Sequence, residues 1–309
     1  MVVLVTGASG QLGMALQHVA PDHSGIDFHF ASSAEADITN KVQLSEIFDR
    51  IKPEYCINAA AYTAVDKAES QPELAKAINV EGARNLAEIC KQHNTVLIHI
   101  STDFVFDGQK NTPYTEDDLT NPQSVYGQTK RDGELAIQET WGKHIIIRTS
   151  WLYSQFGNNF MKTMLRMAAE RDTISVVNDQ IGTPTNAVDL AEAIIHIAKT
   201  LYQLPNIQNP ISKTQCPLPQ TLNPEPNTLN LFGIYHFSNQ GECSWFDFAK
   251  KIFEVSNIDI DLRPITTAEF PTAAKRPGYS VLDKGKIGKN FGIKLITWTD
   301  NFIKDTPNK

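Results

Sequence analysis

The chain has 309 residues, 41% of them hydrophobic, with a formal charge of −7 and a pI near 5.6. This length and apolar content suit one large domain or two smaller ones, and the acidic balance excludes a protein-wide attraction to nucleic acid or anionic membranes. Apolar runs far shorter than about 20 residues exclude a membrane span, and the N-terminus lacks a signal-peptide pattern. Four cysteines without ligand or disulfide spacing indicate a reducing compartment, so we expect a cytoplasmic protein without a metal site.

Apolar runs of strand length alternate with helical patterns through the first half of the chain. The predicted strands are 2–5, 28–31, 55–57, 96–100 and 145–148. The predicted helices are 11–20, 41–51, 72–93 and 125–141. Because the strands are continuous apolar runs, they indicate a parallel sheet buried on both faces. The order predicts an α/β fold with a doubly wound parallel sheet of the Rossmann type.

A glycine loop, TGASGQLG, follows the first predicted strand directly. Gly7 permits the tight turn, Gly10 lets the backbone approach a pyrophosphate, and Gly13 allows the helix to pack closely on the sheet. The amides that begin the helix, at Gln11 and Leu12, can receive the phosphates. The loop therefore predicts a dinucleotide site, and its G-x-x-G-x-x-G spacing is the form found in short-chain dehydrogenases/reductases.

The end of the second strand bears on the choice of cofactor. An acidic residue there would bind the adenosine 2′-OH and select NAD. The chain offers Ala31, Ser32 and Ser33 instead, so we expect NADPH to be preferred, with NADH as an alternative. Asp37 and Ile38 are candidates for the adenine edge, although Asp37 can equally serve as a turn or capping residue.

Small side chains after the third strand would let a cofactor lie against the sheet. The small residues are Asn58, Ala59, Ala60 and Ala61, and the cofactor contacts predicted in this turn are Ala59, Ala60, Ala61, Tyr62 and Thr63.

A proton-donor set is predicted around the fourth strand and the following helix. Ser101, Thr102 and Asp103 end the strand, at the sheet edge where open α/β folds bind ligands. Tyr126 and Lys130 stand four residues apart in VYGQTK, a spacing that puts both on one face of a helix. A neighbouring ammonium lowers the pKa of a phenol, which makes the pair suitable for acid–base chemistry. Tyr-x-x-x-Lys alone is more often an ordinary surface pair, so the inference depends on the glycine loop beside it.

The pattern loosens after Ser150, where helices are predicted at 160–171, 186–201, 245–255 and 298–305. We expect a dinucleotide-binding domain at 1–150, to which parts of 178–238 return, and a smaller α/β substrate-binding domain at 151–309. Residues 203–230 are rich in Pro, Asn and Gln without periodicity and predict a mobile surface loop of unassigned function.

Longer motifs resemble one family, the dTDP-4-dehydrorhamnose reductases, which are extended short-chain reductases. The motifs are GASGQLG, NAAAYTAVDKAE, NVEGARNLA, STDFVFDG, YGQTK, RTSWLY, GNNFMKTMLRMA, NDQIGTPT and PTAAKRPGYSVLD. YGQTK is shared with the whole superfamily, whereas AVDKAE, STDFVFDG, RTSWLY with GNNF, and the closing KRP segment are together specific. The resemblance covers nearly the whole chain except 203–230.

The resemblance implies reduction of the C4 ketone of dTDP-4-dehydro-β-L-rhamnose to dTDP-β-L-rhamnose, a precursor of surface polysaccharide, with no requirement for magnesium in the chemistry. In that role Tyr126 protonates the alkoxide, Lys130 lowers the tyrosine pKa and holds the nicotinamide ribose, and Thr102 donates a hydrogen bond to the reacting oxygen. Asp103 and Trp151 match positions that contact the sugar, although Trp151 can equally be a core residue.

Two further residues are candidates for the substrate diphosphate. Asn159, with Asn158 before it, precedes a helix whose N-terminus can receive phosphate. Arg276 lies in the segment that closes the site in this family, next to Lys275, which can instead be simply solvated.

Departures from the family and rival functions also follow from the residues. Some members carry a glutamate in the first helix that helps hold a metal-bridged dimer. Ala15 stands there in this chain, so we expect a monomer or weak homodimer. Phe104 replaces the acidic residue of the related dehydratases and disfavours elimination. A reductase or epimerase for another nucleotide ketosugar stays open, as does a non-catalytic module like the regulatory subunit of methionine adenosyltransferase.

Overall fold

A six-stranded parallel sheet forms the centre of the computed structural model, which describes residues 1–204, 231–300 and 302. Its strands stand in the spatial order β10-β5-β4-β3-β1-β2, and every neighbouring pair is parallel. Their bounds are β1 Val2–Thr6, β2 Asp27–Ala31, β3 Tyr55–Asn58, β4 Val96–Thr102, β5 His144–Thr149 and β10 Gly233–His236. The predicted doubly wound sheet is confirmed.

Short strands pair outside this sheet. They are β6 Leu152–Tyr153, β7 Thr173–Val177, β8 Ile181–Gly182, β9 Thr185–Asn186, β11 Cys243–Ser244 and β12 Asp261–Ile265. The helices are α1 Gln11–Val19, α2 Lys41–Ile51, α3 Val65–Ala68, α4 Pro72–Lys76, α5 Gly82–His93, α6 Val125–Thr140, α7 Phe160–Glu170, α8 Ala187–Gln203, α9 Trp245–Val255 and α10 Gly285–Phe291.

Helices cover both faces of the sheet, as its apolar strands require. On one face, α1 and α8 pack against each other and bury residues such as Val3, Ile57 and Ile147. On the other face, α2, α5 and α6 bury Leu4 and Leu97. The carboxyl ends of the strands therefore open onto one edge between the two helix layers, where ligands of such sheets bind.

Local signals fix several helix boundaries. The Asn40 side chain caps α2 by accepting from the amides of residues 42 and 43. The single helix predicted over 72–93 is instead α4, a π-helical segment at 77–81, and α5 in succession. Such π segments often occur at functional sites. Asn79 of this segment hydrogen-bonds the backbone amide and carbonyl of Tyr62, in the turn after β3.

The second half of the chain builds an aromatic cluster. Strands β7 and β12 pair in parallel, and α7 and α9 pack beside them. Buried members of this cluster include Tyr153, Phe248 and Phe302. Strand β10 returns to the edge of the large sheet beside β5, and the predicted division of the chain into two domains stays a prediction.

Two predictions from the sequence fall on or near the limits of the described residues. The predicted loop at 203–230 lies outside the described residues apart from Gln203, which ends α8, and Leu204. Of the helix predicted at 298–305, residues 298–300 form a turn. Among the described residues, no helix is long and apolar enough to cross a membrane.

Candidate active site

The glycine loop lies directly against the turn after β3. Gly7 has φ +72°, and a Cβ there would lie 2.5 Å from the Ala60 backbone nitrogen. A Cβ on Gly13 would lie 2.3 Å from the Gly7 carbonyl oxygen, so neither position accepts a side chain without moving backbone. Gly10 precedes α1 and donates its amide to the Gly7 oxygen at 3.0 Å. The loop thus holds the start of α1 at the carboxyl edge of the sheet.

The start of α1 has the features of a phosphate cradle. The first amides of a helix lack intrahelical partners, and these begin at Gln11. The Gln11 Nε2 is buried without a hydrogen-bond partner within the described part of the chain. The Leu12 side chain is buried in the core beneath the sheet, so this residue offers a ligand only its backbone. These features fit a dinucleotide.

The turn after β3 lies beside this loop. The Ala60 amide donates to the Asn58 Oδ1 at 3.1 Å, and the Tyr62 amide donates to Asn79. Ala59, Ala60, Ala61 and Tyr62 are half-buried, whereas Thr63 is exposed.

The end of β2 differs from the expectation. The Asp37 carboxylate accepts from the amide and hydroxyl of Thr39 at 2.9 and 2.8 Å, which is the turn role considered as its alternative. Ile38 is buried in the core against Gly82. A carboxylate does reach the tip of β2, because Glu35 folds back onto the amide and hydroxyl of Ser32, each at 2.9 Å. The sequence signal for this contact was the spacing Ser-x-x-Glu, a capping pattern in which the glutamate carboxylate accepts from the amide of the serine three residues before it.

Hydroxyl and carboxyl groups meet at the end of β4. Asp103 is 1% exposed, and its Oδ1 accepts from the Thr102 hydroxyl at 3.0 Å. Burial raises the pKa of Asp103 from 3.8 to about 6. Tyr126 lies beside both residues. A hydrogen bond with Thr102 lowers the pKa of Tyr126, and the charge of Asp103 raises it. Its ring meets Phe104 edge-on at 5.6 Å.

The predicted effect of Lys130 on the pKa of Tyr126 stays a prediction, because the lysine contacts other groups in this structure. Burial raises the pKa of Tyr126 to about 12. The Lys130 Nζ donates to the Ile100 carbonyl at 2.6 Å and lies 3.3 Å from the His99 Nε2. The helix does place both residues on one face, but the lysine is directed into the sheet instead of toward the phenol.

Trp151 is held tightly in an uncommon backbone conformation. It has φ +46°, which is costly for a bulky residue and is often retained at functional sites. Its ring stacks on Trp245 at 3.6 Å and 11°, and a Cβ on Gly182 would lie 2.5 Å from its indole. One face of the Trp151 indole is therefore covered by Trp245. A sugar could stack only on the part of the ring that is left.

The two diphosphate candidates already have protein partners. Asn159 caps α7 by accepting from the Lys162 amide, and its Nδ2 donates to the Ser154 and Phe156 carbonyls at 2.7 and 3.2 Å. Arg276 makes an ion pair with Asp66 at 2.7 Å.

A cavity of about 370 Å³ is lined in part by one predicted substrate residue, Arg276. Its lining includes Phe160, Met164, Trp245 and Arg276. Phe160 begins the helix that Asn159 caps, and Trp245 is the residue on which Trp151 stacks. The cavity thus borders the region where the sequence placed the substrate.

A metal-bridged contact through α1 has no support in these residues. Ala15 is fully buried in the core and carries no ligand atom. In the part of the chain that the structure describes, no group of three His, Cys, Asp or Glu residues is arranged to hold a metal ion.

At the carboxyl edge of this doubly wound sheet, a tyrosine and a lysine one helical turn apart lie beside a hydroxyl. This arrangement defines an extended short-chain dehydrogenase/reductase. A family model described as the RmlD substrate binding domain matches residues 1–211 and 216–305. The dTDP-4-dehydrorhamnose reductase of Aggregatibacter actinomycetemcomitans is 41% identical over 303 residues, which cover 96% of this chain and 95% of that protein. The chain therefore belongs to the dTDP-4-dehydrorhamnose reductase family.

Solved structures agree with this placement. A crystal structure of a dTDP-4-dehydrorhamnose reductase from Clostridium acetobutylicum has a TM-score of 0.86 at 37% identity and covers 99% of this chain and 98% of that one. The Bacillus anthracis reductase in complex with NADP has a TM-score of 0.85 at 38% identity, with 98% of each chain covered. Thermus thermophilus UDP-glucose 4-epimerase with NAD has a TM-score of 0.75 at 17% identity over 99% of this chain and 97% of that one, which shows the fold alone.

Proposed function

We propose that the protein reduces the C4 ketone of dTDP-4-dehydro-β-L-rhamnose with NAD(P)H and forms dTDP-β-L-rhamnose for surface polysaccharide. The observation that carries this proposal is the meeting of Thr102, Asp103 and Tyr126 at the carboxyl edge of the sheet, next to the glycine loop, in a member of this family. A bound nicotinamide supplies the hydride. The chain supplies the proton and the alignment.

Tyr126 is the proposed proton donor. A pKa near 12 keeps its hydroxyl protonated at neutral pH, so the acid is loaded before the ketone is reduced. Thr102 hydrogen-bonds the same region and would help hold the ketone oxygen within reach of the phenol. Lys130 would hold the ribose of the nicotinamide. Proton donation by a side chain needs no metal, and we propose that magnesium is not required.

We propose that the substrate lies between this proton donor and the cavity at Trp245. The aromatic and methionine lining of the cavity suits a nucleobase, and Arg276, which also lines it, suits a diphosphate. To bind phosphate, Arg276 would have to share or leave Asp66. Asn159 would act through the amides of the α7 N-terminus, because its own side chain is engaged.

The division of the chain is also a proposal. Residues 1–150 with the returning strand β10 would hold the cofactor, and the rest of 151–309 would hold the nucleotide sugar. With Ala15 buried, we propose a monomer or a weak homodimer. Cys56, Cys90 and Cys243 are buried free thiols, which supports a reducing cytoplasmic setting.

The first test is nicotinamide oxidation with purified protein, dTDP-4-dehydrorhamnose made in situ, and NADPH or NADH in parallel. We expect rapid loss of absorbance at the reduced-nicotinamide band, with dTDP-rhamnose as the product. Cofactor binding without oxidation would instead favour another ketosugar or a regulatory module, and tight co-purified NAD would favour an epimerase.

Cofactor choice is expected to depend on Glu35. The hydrogen bond from the Ser32 amide lowers the pKa of Glu35, so a charged carboxylate occupies the donors at the tip of β2. This weakens the ground for preferring NADPH, since that preference relied on a β2 tip without a carboxylate. We propose that both cofactors are used and that Glu35 disfavours the 2′-phosphate.

Glu35→Gln should therefore raise the affinity for NADPH relative to NADH, by roughly fivefold for one unit charge about 4 Å away. Fluorescence titration of each reduced cofactor gives the ratio of dissociation constants. The matched control is Glu46→Gln, which removes the same charge from an exposed position on α2. An unchanged ratio in Glu35→Gln, or an equal change in both variants, would refute the role.

A further inference from the structure

A buried row of polar side chains crosses the sheet beneath α6. Thr6 of β1, Asn58 of β3 and His99 of β4 are register partners, so they lie side by side on one face. Leu4 and Leu97, which lie two residues earlier on that face, belong to the hydrophobic core. Polar groups buried in such a place are almost always hydrogen-bonded, so the pairing of each atom can be followed.

The orientation of the Asn58 amide is fixed by a backbone donor. The Ala60 amide donates to its Oδ1 at 3.1 Å, and the Thr6 hydroxyl donates to the same atom at 2.8 Å. The other amide atom, Nδ2, is therefore a donor, and it lies 2.9 Å from the His99 Nδ1. That ring nitrogen must accept. Burial and the nearby Lys130 lower the pKa of His99, so the ring is neutral and carries its hydrogen on Nε2.

The Nε2–H of His99 faces the Lys130 Nζ at 3.3 Å. An ammonium group has only donors and cannot accept this hydrogen, whereas a neutral amine has a lone pair that can. Lys130 is 2% exposed and donates one hydrogen to the Ile100 carbonyl at 2.6 Å. With a neutral lysine, each donor in this row of contacts has an acceptor. With a charged lysine, the His99 Nε2–H and the Lys130 ammonium are two donors that face each other.

We propose that His99 is a positioning residue that donates its Nε2–H to Lys130, holds the lysine against the Ile100 carbonyl, and thereby favours its neutral amine over the ammonium. Burial acts in the same direction and lowers the pKa of Lys130 to about 8. Glu134, on the same helix, acts in the opposite direction, but its carboxylate already accepts from Arg148 and Ser101. His144 of β5 also faces His99 and lowers its pKa.

The consequence concerns the phenolate that remains after Tyr126 gives its proton to the C4 oxygen in the proposed function, on which this part of the inference rests. A lysine that titrates near pH 8 can exchange a proton while that phenolate is restored to a phenol, whereas a permanently charged lysine can only stabilise its charge.

The test is made on the whole ligand-free protein by NMR, with ¹⁵N-labelled histidine and ¹³Cε-labelled lysine. We expect His99 to show a protonated Nε2 and an unprotonated Nδ1. The Lys130 methylene signal, assigned by its loss in Lys130→Met, should titrate near pH 8, well below an unperturbed lysine at about 10.4. A protonated Nδ1, or a lysine that titrates with the others, would overturn the proposal.

Two variants separate the ring nitrogens. His99→Asn places a polar atom near Nδ1 and keeps the Asn58 contact, whereas His99→Gln places its amide nitrogen near Nε2 and keeps a donor to Lys130. We expect His99→Asn to raise the Lys130 titration by about one unit, a tenfold change in proton affinity, and His99→Gln to leave it nearly unchanged. Equal titrations in both variants would contradict a donor role.

These readouts do not depend on turnover, so they stand even if the ketosugar substrate is misassigned. If His99→Asn fails to fold, the wild-type ¹⁵N and ¹³C spectra still decide the tautomer and the lysine charge. In active protein, the pH dependence of turnover should move with the lysine titration in His99→Asn, which a purely structural role of His99 would not produce.

Discussion

Tyr126→Phe is expected to reduce turnover by about a thousandfold, within the roughly 10²–10⁴-fold that a positioned proton donor contributes. The substitution removes only the hydroxyl that hydrogen-bonds Thr102 and leaves the ring beside Phe104. Because the glycine loop is untouched, nicotinamide binding should stay within about twofold of wild type. Steady-state turnover and cofactor fluorescence, measured on the same preparation, separate the two effects.

A matched control for this substitution is Tyr114→Phe, which removes a phenol hydroxyl elsewhere in the chain. The Tyr114 hydroxyl bonds Asp107 at 2.8 Å and accepts from the amides of Gln109 and Lys110. We expect its loss to affect stability more than turnover. If Tyr126→Phe keeps turnover within tenfold of wild type, Tyr126 is not the proton donor and the mechanism proposed above fails.

The architecture was predictable because its signals are local and periodic. Uninterrupted apolar runs gave β1 and β4 to within two residues, and the helix at 245–255 was predicted with the bounds that the structure has. That helix is bounded by a capping box, in which Ser244 and Asp247 satisfy each other's amides. The glycine loop was equally predictable, since Gly7 and Gly13 have no room for a side chain.

The site was predictable as a set of residues but not as a set of contacts. Helical spacing places Tyr126 and Lys130 on one face, yet it cannot reveal that a buried histidine and a carbonyl draw the lysine into the sheet. The ion pair of Arg276 with Asp66 joins residues 210 positions apart, and no periodic signal reports such a pair. Glu35 was missed because only the residues directly after β2 were considered as the tip of the strand. The chain turns back at Ser32, which brings the Glu35 carboxylate to the Ser32 amide.

A buried ion pair behind the proton donor carries the largest expected effect on stability. The Arg148 Nε and Nη2 donate to the two oxygens of Glu134 at 2.9 and 2.7 Å, and both side chains are 3% exposed. Ser101 donates to the same carboxylate at 2.5 Å. Arg148→Met leaves this carboxylate buried without its cation, so we expect the free energy of unfolding to fall by about 3–5 kcal/mol. Urea unfolding followed by circular dichroism measures the loss.

The double variant Arg148→Met with Glu134→Gln tests whether the loss comes from the stranded charge. Glutamine keeps an oxygen for Ser101 but carries no charge, and methionine fills much of the arginine's volume. Most of the stability should therefore return, with a coupling free energy of about 2 kcal/mol or more between the two positions. Additive effects, or a single-variant loss below about 1 kcal/mol, would mean that water or another group compensates the carboxylate. Because Glu134 also acts on Lys130, the double variant should keep its fold while its lysine titrates at lower pH than in wild type.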